Sequence, residues 1–194
     1  MCPSIHKDLF RDIPFNQARL IVTARGLYSN KKARRALRRI LPYARIHKTG
    51  FRSVYVIETH GNVLHIAEKI IRRCLDDVGH ATAVVEEVQT DINNIKEAMV
   101  SAGSQLIKEY DSYCIRIKRR GSYFLDENIQ ALEADIGGEI WKVLKEKYGK
   151  EPRVDLENPD IKIIAEVLGH ATAIGVQYKS WFEEPYQEEI SDTQ

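Results

Sequence analysis

The chain has 194 residues, of which 43% are hydrophobic and 29% are charged, a composition typical of a globular protein with one or two domains. Its longest apolar runs are short and interrupted by charges, which excludes a membrane-spanning helix. The N-terminus lacks the apolar stretch of a signal peptide, so we expect a cytoplasmic protein. Three widely spaced cysteines without a CxxC pair exclude a disulfide scaffold and a zinc finger.

Charge is distributed unevenly along the chain. Residues 1–52 contain 13 Lys and Arg but only two acids, a net charge of +11, whereas residues 53–194 contain 16 basic and 26 acidic residues, a net charge of −10. Such polarisation indicates a basic surface that meets a polyanion, and nucleic acid is the first candidate. The alternatives are a solvated basic helix that faces an acidic region of the same chain, and a membrane or protein partner.

The basic segment begins with a strand and continues into a cationic helix. Residues 19–23 predict a buried strand, and a turn follows at Arg25. A helix is then expected to begin with a cap at Ser29 or Asn30 and to end at Leu41, just before a proline. Its apolar residues follow the helical period, so the opposite side of the helix presents cations. These cations are Lys31, Lys32, Arg34, Arg35, Arg38 and Arg39.

The next elements complete a βαββαβ pattern. Residues 43–58 predict a hairpin, a second amphipathic helix follows, and residues 82–88 predict a strand. This order is that of a ferredoxin-like domain, which we assign to residues 1–90.

The second half predicts a separate α/β domain over residues 91–179, so the expected fold class is α+β. The expected elements are a helix from 91 to about 110, a strand at 113–120, a helix from 129 that a glycine at 149 ends, and a hairpin of strands at 161–168 and 171–178. Gly103 is a possible interruption of the first helix, and the Gly137-Gly138 pair is expected to allow close packing of the second. Residues 180–194 are acidic and aperiodic, which predicts a flexible tail.

Residue patterns that support catalysis are missing. The sequence has no GxxxxGK[ST], GxGxxG or GxSxG motif. Asp155, Glu157 and Asp160 are close in sequence, but Asn-Pro and Asp residues favour a turn that leads into the next strand. The histidines fit turns or the surface better than a metal site. We therefore expect no enzyme activity, no metal and no cofactor.

A basic strand that ends at a glycine is the strongest candidate for a binding site. Alternation along residues 113–120 puts Arg116, Lys118 and Arg120 on one side of the strand. Arginine forks contact phosphates bidentately, and a glycine at 121 lets a sugar–phosphate backbone come close. Tyr123 can stack on an unpaired base. The alternatives are a solvated strand edge for the cations and core packing for the aromatic ring. The predicted RNA-binding residues are Arg116, Lys118, Arg119, Arg120, Gly121, Ser122 and Tyr123 of this segment, together with Arg25 and the six cations of the first helix.

The second half resembles the THUMP domain, an RNA-binding module of tRNA-modifying proteins. The segments that carry the resemblance are IRIKRRGSYF (115–124), ADIGGEIW (134–141), VDLENPDIKIIAEV (154–167) and ATAIGV (171–176), in the order usual for the family. The resemblance implies a preceding ferredoxin-like domain and a basic surface that holds the tRNA acceptor stem near its 3′ end. The positions that would contact the acceptor-end backbone are Arg116, Lys118, Arg119, Arg120 and Gly121.

Members of this family usually carry an additional catalytic domain, and the chain ends at Gln194 without room for one. It is therefore similar to the standalone THUMP proteins that act as tRNA-binding adaptors for a separate tRNA cytidine acetyltransferase. We expect a non-catalytic adaptor that binds tRNA and a separate modifying enzyme, away from membranes. The alternatives are a protein–protein scaffold that uses the basic helix, and an enzyme that modifies tRNA with the carboxylates near residues 155–160.

Overall fold

Strands and helices alternate along the residues that the computed structural model describes, which are 17–26, 30–121 and 128–183. The elements in these ranges are β1 (Gln17–Ala24), α1 (Asn30–Ile40), β2 (Arg45–Lys48), β3 (Val54–His60), α2 (Val63–Cys74), β4 (Val78–Gln89), α3 (Ile92–Leu106), β5 (Ser112–Arg119), α4 (Ile129–Tyr148), β6 (Arg153–Val154), β7 (Ile161–Leu168), β8 (Ala171–Tyr178) and a 3-10 turn (Lys179–Trp181).

The eight described strands form one mixed sheet with the order β2-β3-β1-β4-β8-β7-β5-β6. All pairs are antiparallel except β5–β7 and β5–β6, which are parallel. This combination of a mixed sheet with helices confirms the predicted α+β class. The boundary predicted near Thr90 follows the last residue of β4, but β4 pairs with β8 of the second half. The two halves therefore share a single sheet.

The pairing of β4 with β8, which we call the seam between the two halves, depends on a glycine. Gly175 of β8 lies opposite Val84 of β4, beside an irregularity in the pairing. A Cβ atom at Gly175 would overlap the backbone oxygen of Ala83 and lie 2.7 Å from Cγ2 of Thr82. Since no larger residue fits this space, Gly175 allows the two strands to approach each other.

The main core lies between the sheet and the four α-helices. Alternation along β1 directs Leu20 and Val22 into this core, and their neighbour Ile21 belongs to a smaller apolar cluster on the other face. We call these the helix face and the second face of the sheet. Most residues of both clusters are fully buried, so the second face is not an open surface.

The bounds of helix α1 agree with the predicted bounds within one residue, but the side chain of Asn30 does not cap the helix. Asn30 is the first residue of the helix, and its side-chain oxygen has no hydrogen-bond partner in the described part of the chain. Ser29, the other candidate cap, lies outside the described residues. The Asn30 carbonyl accepts a hydrogen bond from the Tyr55 hydroxyl (3.2 Å), which attaches the start of α1 to β3.

Helix α3 ends at Leu106, earlier than the predicted residue 110, and it is continuous through Gly103. Gly103 is buried, and a Cβ there would lie 2.7 Å from Cδ1 of Ile140 in α4. The glycine therefore brings the two helices together rather than interrupting one. The prediction that Gly137 and Gly138 serve close packing is wrong for Gly138, whose missing side chain faces open space.

Three short elements differ from the sequence predictions. Strand β4 begins at Val78, four residues before the predicted start, so His80 lies in a strand and not in a turn. The two-residue strand β6 was not predicted. The tail predicted from residue 180 is corrected for residues 180–183, because Trp181 is buried and Arg72 donates to the carbonyls of Ser180 (2.9 Å) and Glu183 (2.8 Å). Residues 184–194 of that tail lie outside the described part.

Each half of the chain contains one buried free cysteine, Cys74 in α2 and Cys114 in β5. Burial raises the pKa of both thiols, with smaller opposing effects from Arg39 on Cys74 and from Arg116 on Cys114. Both thiols are therefore protonated and poorly reactive at neutral pH. None of the described helices has the length and apolar character needed to cross a membrane.

Candidate nucleic-acid interface

Strand β5 has the two-sided character that its sequence predicts. Tyr113, Ile115 and Ile117 are buried against the helix face, and Lys118 pairs with Glu166 of β7 in the sheet register. The cations of β5 therefore belong to the second face. On its outer side, β5 pairs with β6 only at its first two residues, so the remainder of that edge has no partner strand among the described residues.

A buried carboxylate neutralises much of the charge on β5. Glu166 is 1% exposed, and its oxygens lie 3.2 Å from Nζ of Lys118 and 3.1 Å from Nη2 of Arg120. Arg120 also donates to the hydroxyl of Thr23 in β1 (3.1 Å). Lys118 and Arg120 are only 28% and 24% exposed. The triad therefore offers a net charge of +1, and it links the second half of the chain to the first.

Arg116 is held by protein atoms on three sides. Its guanidinium donates to the carbonyl of Ile115 (2.8 Å) and to that of Leu156 (2.5 Å), and it lies 3.9 Å from the carboxylate of Glu133. Glu133 in turn accepts a hydrogen bond from the Ile117 backbone N–H (2.7 Å). These side chains satisfy the β5 edge where a neighbouring strand is missing.

The turn after β5 is described up to Gly121. Arg119 and Gly121 are exposed, and Gly121 has a φ of 95°, a left-handed conformation that a glycine adopts without strain. The Arg120 backbone N–H still bonds to β7, at the Val167 carbonyl, so the turn begins immediately beyond Arg120. Ser122 and Tyr123, also predicted to bind RNA, lie outside the described residues.

Unlike the cations of β5, those of α1 have no acidic partner among the residues that the structure describes. Within the described ranges, none of the six forms an ion pair or a side-chain hydrogen bond. Arg34 is half-buried and the other five are exposed. No acidic residue occurs in the first turn of α1. We define the basic face of α1 by the five exposed residues Lys31, Lys32, Arg35, Arg38 and Arg39.

Arg120 and the start of α1 both lie near the last residues of β1, but on opposite faces of the sheet. Arg120 contacts Thr23 near the end of β1, and the start of α1 is attached to Tyr55, which pairs with Val22. Arg25, the remaining predicted RNA-binding residue, is exposed just after β1. The sequence predicted both groups of cations separately, and the sheet places the start of each near the end of β1.

The carboxylates of residues 155–160 form a structural turn. Asp155 accepts from the backbone N–H groups of Asn158 (2.9 Å) and Glu157 (3.0 Å), which lower its pKa. Asp160 accepts from the hydroxyl (2.6 Å) and N–H (2.8 Å) of Ser112, which lower its pKa too. Acid–base catalysis near neutral pH is most efficient when the pKa of the catalytic group is about 7, and the lowered pKa values move these two carboxylates away from that range. No group of three or more metal-ligating side chains is present in residues 17–26, 30–121 and 128–183.

A mostly apolar cavity of about 630 Å³ lies between β5 and α4. Gly138 and Trp141 of α4 form one wall, and Val154 and Leu156, which are 54% and 63% exposed, lie on the other side. Its charged residues, Arg116 and Glu133, pair with each other. The cavity thus has no excess charge with which to attract phosphates.

Glu166 is the residue of this site that sequence reasoning missed. The signal was present, because Glu166 is the only acid in the apolar run IKIIAEVL (161–168), and a charge in a buried strand needs a partner. The sequence does not show which of the surrounding cations takes that role, since β5 and β7 are paired only in the folded chain.

The two α/β halves of the chain share one sheet, and exposed basic side chains lie just after β1 and at the end of β5. A family model for the THUMP domain matches residues 89–177. The chain therefore contains a THUMP domain, as the resemblance implied, and this domain begins at the last residue of β4.

Solved structures with the same fold are longer than this chain, which spans only 41–54% of the length of three of them. They include PH1313 from Pyrococcus horikoshii (18% identity, TM-score 0.56, 82% of this chain and 54% of the other), a 4-thiouridine synthetase in complex with RNA and ATP (19%, 0.58, 82% and 41%) and TrmN from Thermus thermophilus (18%, 0.55, 83% and 45%). At these identities the likeness concerns the fold alone. No curated protein matches the chain significantly.

Proposed function

We propose that this protein is a non-catalytic tRNA-binding adaptor, which holds the acceptor end of a tRNA and presents it to a separate modifying enzyme in the cytoplasm. The observation that carries the proposal is the THUMP domain at residues 89–177. The RNA complex of a 4-thiouridine synthetase with the same fold supports it.

The turn after β5 is the proposed contact for the 3′ end. Arg119 and Gly121 are exposed there, and Gly121 has no side chain to keep a phosphodiester away. Lys118 and Arg120 approach the same turn but share their charge with Glu166. Their role is therefore to position the turn and to add a modest positive potential.

The non-catalytic part of the proposal rests on the sequence, which combines no nucleophile, base and oxyanion site. The carboxylates near residue 155 are engaged in a turn and have lowered pKa values, which weakens the alternative of an enzyme. A cytidine acetyltransferase is one candidate partner, suggested only by the family resemblance.

The test is binding of an intact tRNA compared with the same tRNA lacking its single-stranded 3′ end, at about 50 and 200 mM salt. We expect tighter binding of the intact tRNA at both salt concentrations and a steep loss of affinity with salt. Equal affinity for the two RNAs would contradict recognition of the acceptor end.

A second measurement addresses the absence of catalysis. The purified protein is incubated with unmodified tRNA and common group donors, and the nucleosides are analysed by mass. We expect no new nucleoside without an added enzyme. A modified nucleoside formed by the protein alone would overturn the adaptor role.

A further inference from the structure

The basic face of α1 is an unusual surface for a helix that is only solvated. Lys31 and Lys32 occupy its first turn, where the helix dipole disfavours cations, and no acid is present there to compensate. Arg35 lies four residues from both Lys31 and Arg39, so like charges also repel along the face. Each of these arrangements weakens the helix slightly, and a bound polyanion would remove the repulsion.

This surface lacks the features of a protein-binding surface. The centre of a protein interface is rich in aromatic and apolar side chains, but every exposed residue of α1 is a cation and its apolar residues are buried or half-buried. The exposed apolar residues Val154 and Leu156 lie elsewhere, beside the charge-balanced cavity. An interface between α1 and an acidic protein would therefore contain charged contacts but no apolar centre.

The surface also lacks the features of a site for single-stranded RNA. Such sites combine cations with aromatic rings on which successive bases stack, and α1 contains no aromatic residue along its whole length. Tyr43, which is 93% exposed, lies beyond the end of α1. In a duplex the bases are already stacked, and the accessible groups are phosphates.

The length of the face suits a duplex backbone. Lys31 and Arg39 are eight residues apart, or about 12 Å along the helix axis. A strand of duplex DNA carries about one phosphate per 3.4 Å of its axis, and the phosphates of A-form RNA lie somewhat closer together along the axis. The five cations therefore lie within reach of roughly three or four phosphates.

We propose that the basic face of α1 binds the phosphate backbone of duplex RNA, and that it supplies most of the electrostatic affinity for the acceptor stem. This inference rests on the proposed tRNA-binding function and divides it between two surfaces. The stem lies on α1, and the single-stranded end lies at the turn after β5, where the cations are shared with Glu166. Arg120, just before that turn, contacts Thr23 near the end of β1, and the start of α1 is attached to Tyr55 on the opposite face of the sheet. An RNA that binds both surfaces therefore has to pass around this part of the sheet.

The test uses two RNA hairpins, one with a blunt end and one with a single-stranded 3′ extension, and measures affinity between about 50 and 200 mM salt. The test variant is Lys31→Gln with Lys32→Gln. The matched control is Lys108→Gln with Lys142→Gln, two exposed lysines of the second half that form no ion pair within the described residues. Both variants lose the same charge from the same residue type.

We expect the α1 variant to bind both hairpins roughly tenfold more weakly at low salt, with a salt slope smaller by about two. The control should differ from the wild type by less than about twofold. The α1 variant should unfold at the same temperature as the wild type or higher in low salt, because repulsion in the first turn is reduced.

Equal losses in the α1 variant and the control would overturn the inference, because the effect would then be one of net charge. Unchanged RNA binding, together with loss of a nuclease-resistant protein complex, would overturn it in favour of an acidic protein. The hairpin pair separates this result from the proposed function. If the wild type prefers the extended hairpin but the α1 variant binds normally, only the α1 inference fails. If the α1 variant is weakened but the wild type has no preference, only recognition of the 3′ end fails.

Discussion

Glu166 determines how much charge β5 can offer to a ligand. Its carboxylate is buried between Lys118 and Arg120, which are both about one quarter exposed. The free-energy cost of desolvation is therefore larger for the carboxylate than for the cations, because the cations are partly in contact with water and the carboxylate is not. Removing the acid and removing the cations should have very different consequences.

We expect Glu166→Gln to lower the free energy of unfolding by about 1–2 kcal/mol, since each cation can still be hydrated. Replacing both Lys118 and Arg120 with Met should cost more, about 3–5 kcal/mol, because a buried carboxylate is left without a cationic partner. Urea denaturation at neutral pH measures both values. If Glu166→Gln lowered the free energy of unfolding more than the replacement of both cations does, burial of an unpaired Glu166 carboxylate would not be the main cost.

Asp160 gives the protein a predictable response to acid. Ser112 lowers the pKa of Asp160, so this carboxylate stabilises the fold above the pKa of an unfolded Asp, about 3.9. That contribution is lost as pH falls through the lower pKa of the folded state. Ser112→Ala should weaken it, so the stability difference between wild type and variant should be largest above about pH 5 and should shrink towards pH 2.

Urea denaturation at several pH values tests this dependence. Ser104→Ala is the control, because the Ser104 hydroxyl donates to a backbone carbonyl (2.8 Å) and to no acid. Its stability difference should not vary with pH. A constant difference for Ser112→Ala would show that the hydroxyl contributes only packing or a neutral hydrogen bond.

At the scale of elements, the space around a glycine determines whether the packing requires it. The sequence context of Gly175, Gly103 and Gly138 does not reveal that space. Gly175 in β8 faces backbone atoms of β4, Gly103 faces a side chain of α4, and Gly138 faces the open cavity. A side chain at position 175 would force the backbone of β4 to move and would disturb the sheet. A methyl group at position 138 would enter free space in the cavity.

Gly175→Ala should therefore lower the free energy of unfolding by about 2–3 kcal/mol through overpacking at the seam. Gly138→Ala should raise it by up to about 1 kcal/mol, because alanine is the better helix former and the space is free. Thermal and urea denaturation of the two single variants test both signs. A stabilised Gly175→Ala variant would contradict the close approach of β4 and β8.

The elements that the sequence predicted well are long and strongly periodic. The bounds of β7 and β8 are those predicted, and α4 runs from Ile129 to the glycine expected to end it. Strand β6 was missed because two residues carry no periodicity, and Trp181 was assigned to a tail because burial of one aromatic leaves no pattern. For the site, alternation predicted which cations share a side of β5. Their pairing with Glu166 depends on strand neighbours that are distant in sequence.

At the scale of the whole molecule, one continuous sheet makes the two halves thermodynamically dependent. Strand β8 lies between β7 and β4, and separation of the halves would expose both sides of the seam. The Arg120–Thr23 hydrogen bond connects them a second time. We therefore expect a single cooperative unfolding transition.

The positions of the two tryptophans allow a direct measurement. Trp141 lies in α4 of the second half. Trp181, in contrast, is buried beside α2 of the first half, where Arg72 holds Ser180 and Glu183. With Trp181 replaced by Phe, fluorescence reports the second half alone, whereas circular dichroism reports the helices of both. The two denaturation curves should coincide in midpoint and slope. Transitions that separate would show that the halves unfold independently despite the shared sheet.

The two buried cysteines have a kinetic consequence. A thiol that is protonated and shielded can be alkylated only when its surroundings open, so its labelling rate measures how often that happens. Cys74 lies in the first half and Cys114 in the second, and with Cys2 replaced by Ser each can be timed separately. The alkylation rates of Cys74 and Cys114 thus report how often the first and the second half open. If bound RNA lowers only one of these rates, it stabilises the half that contains that cysteine against opening.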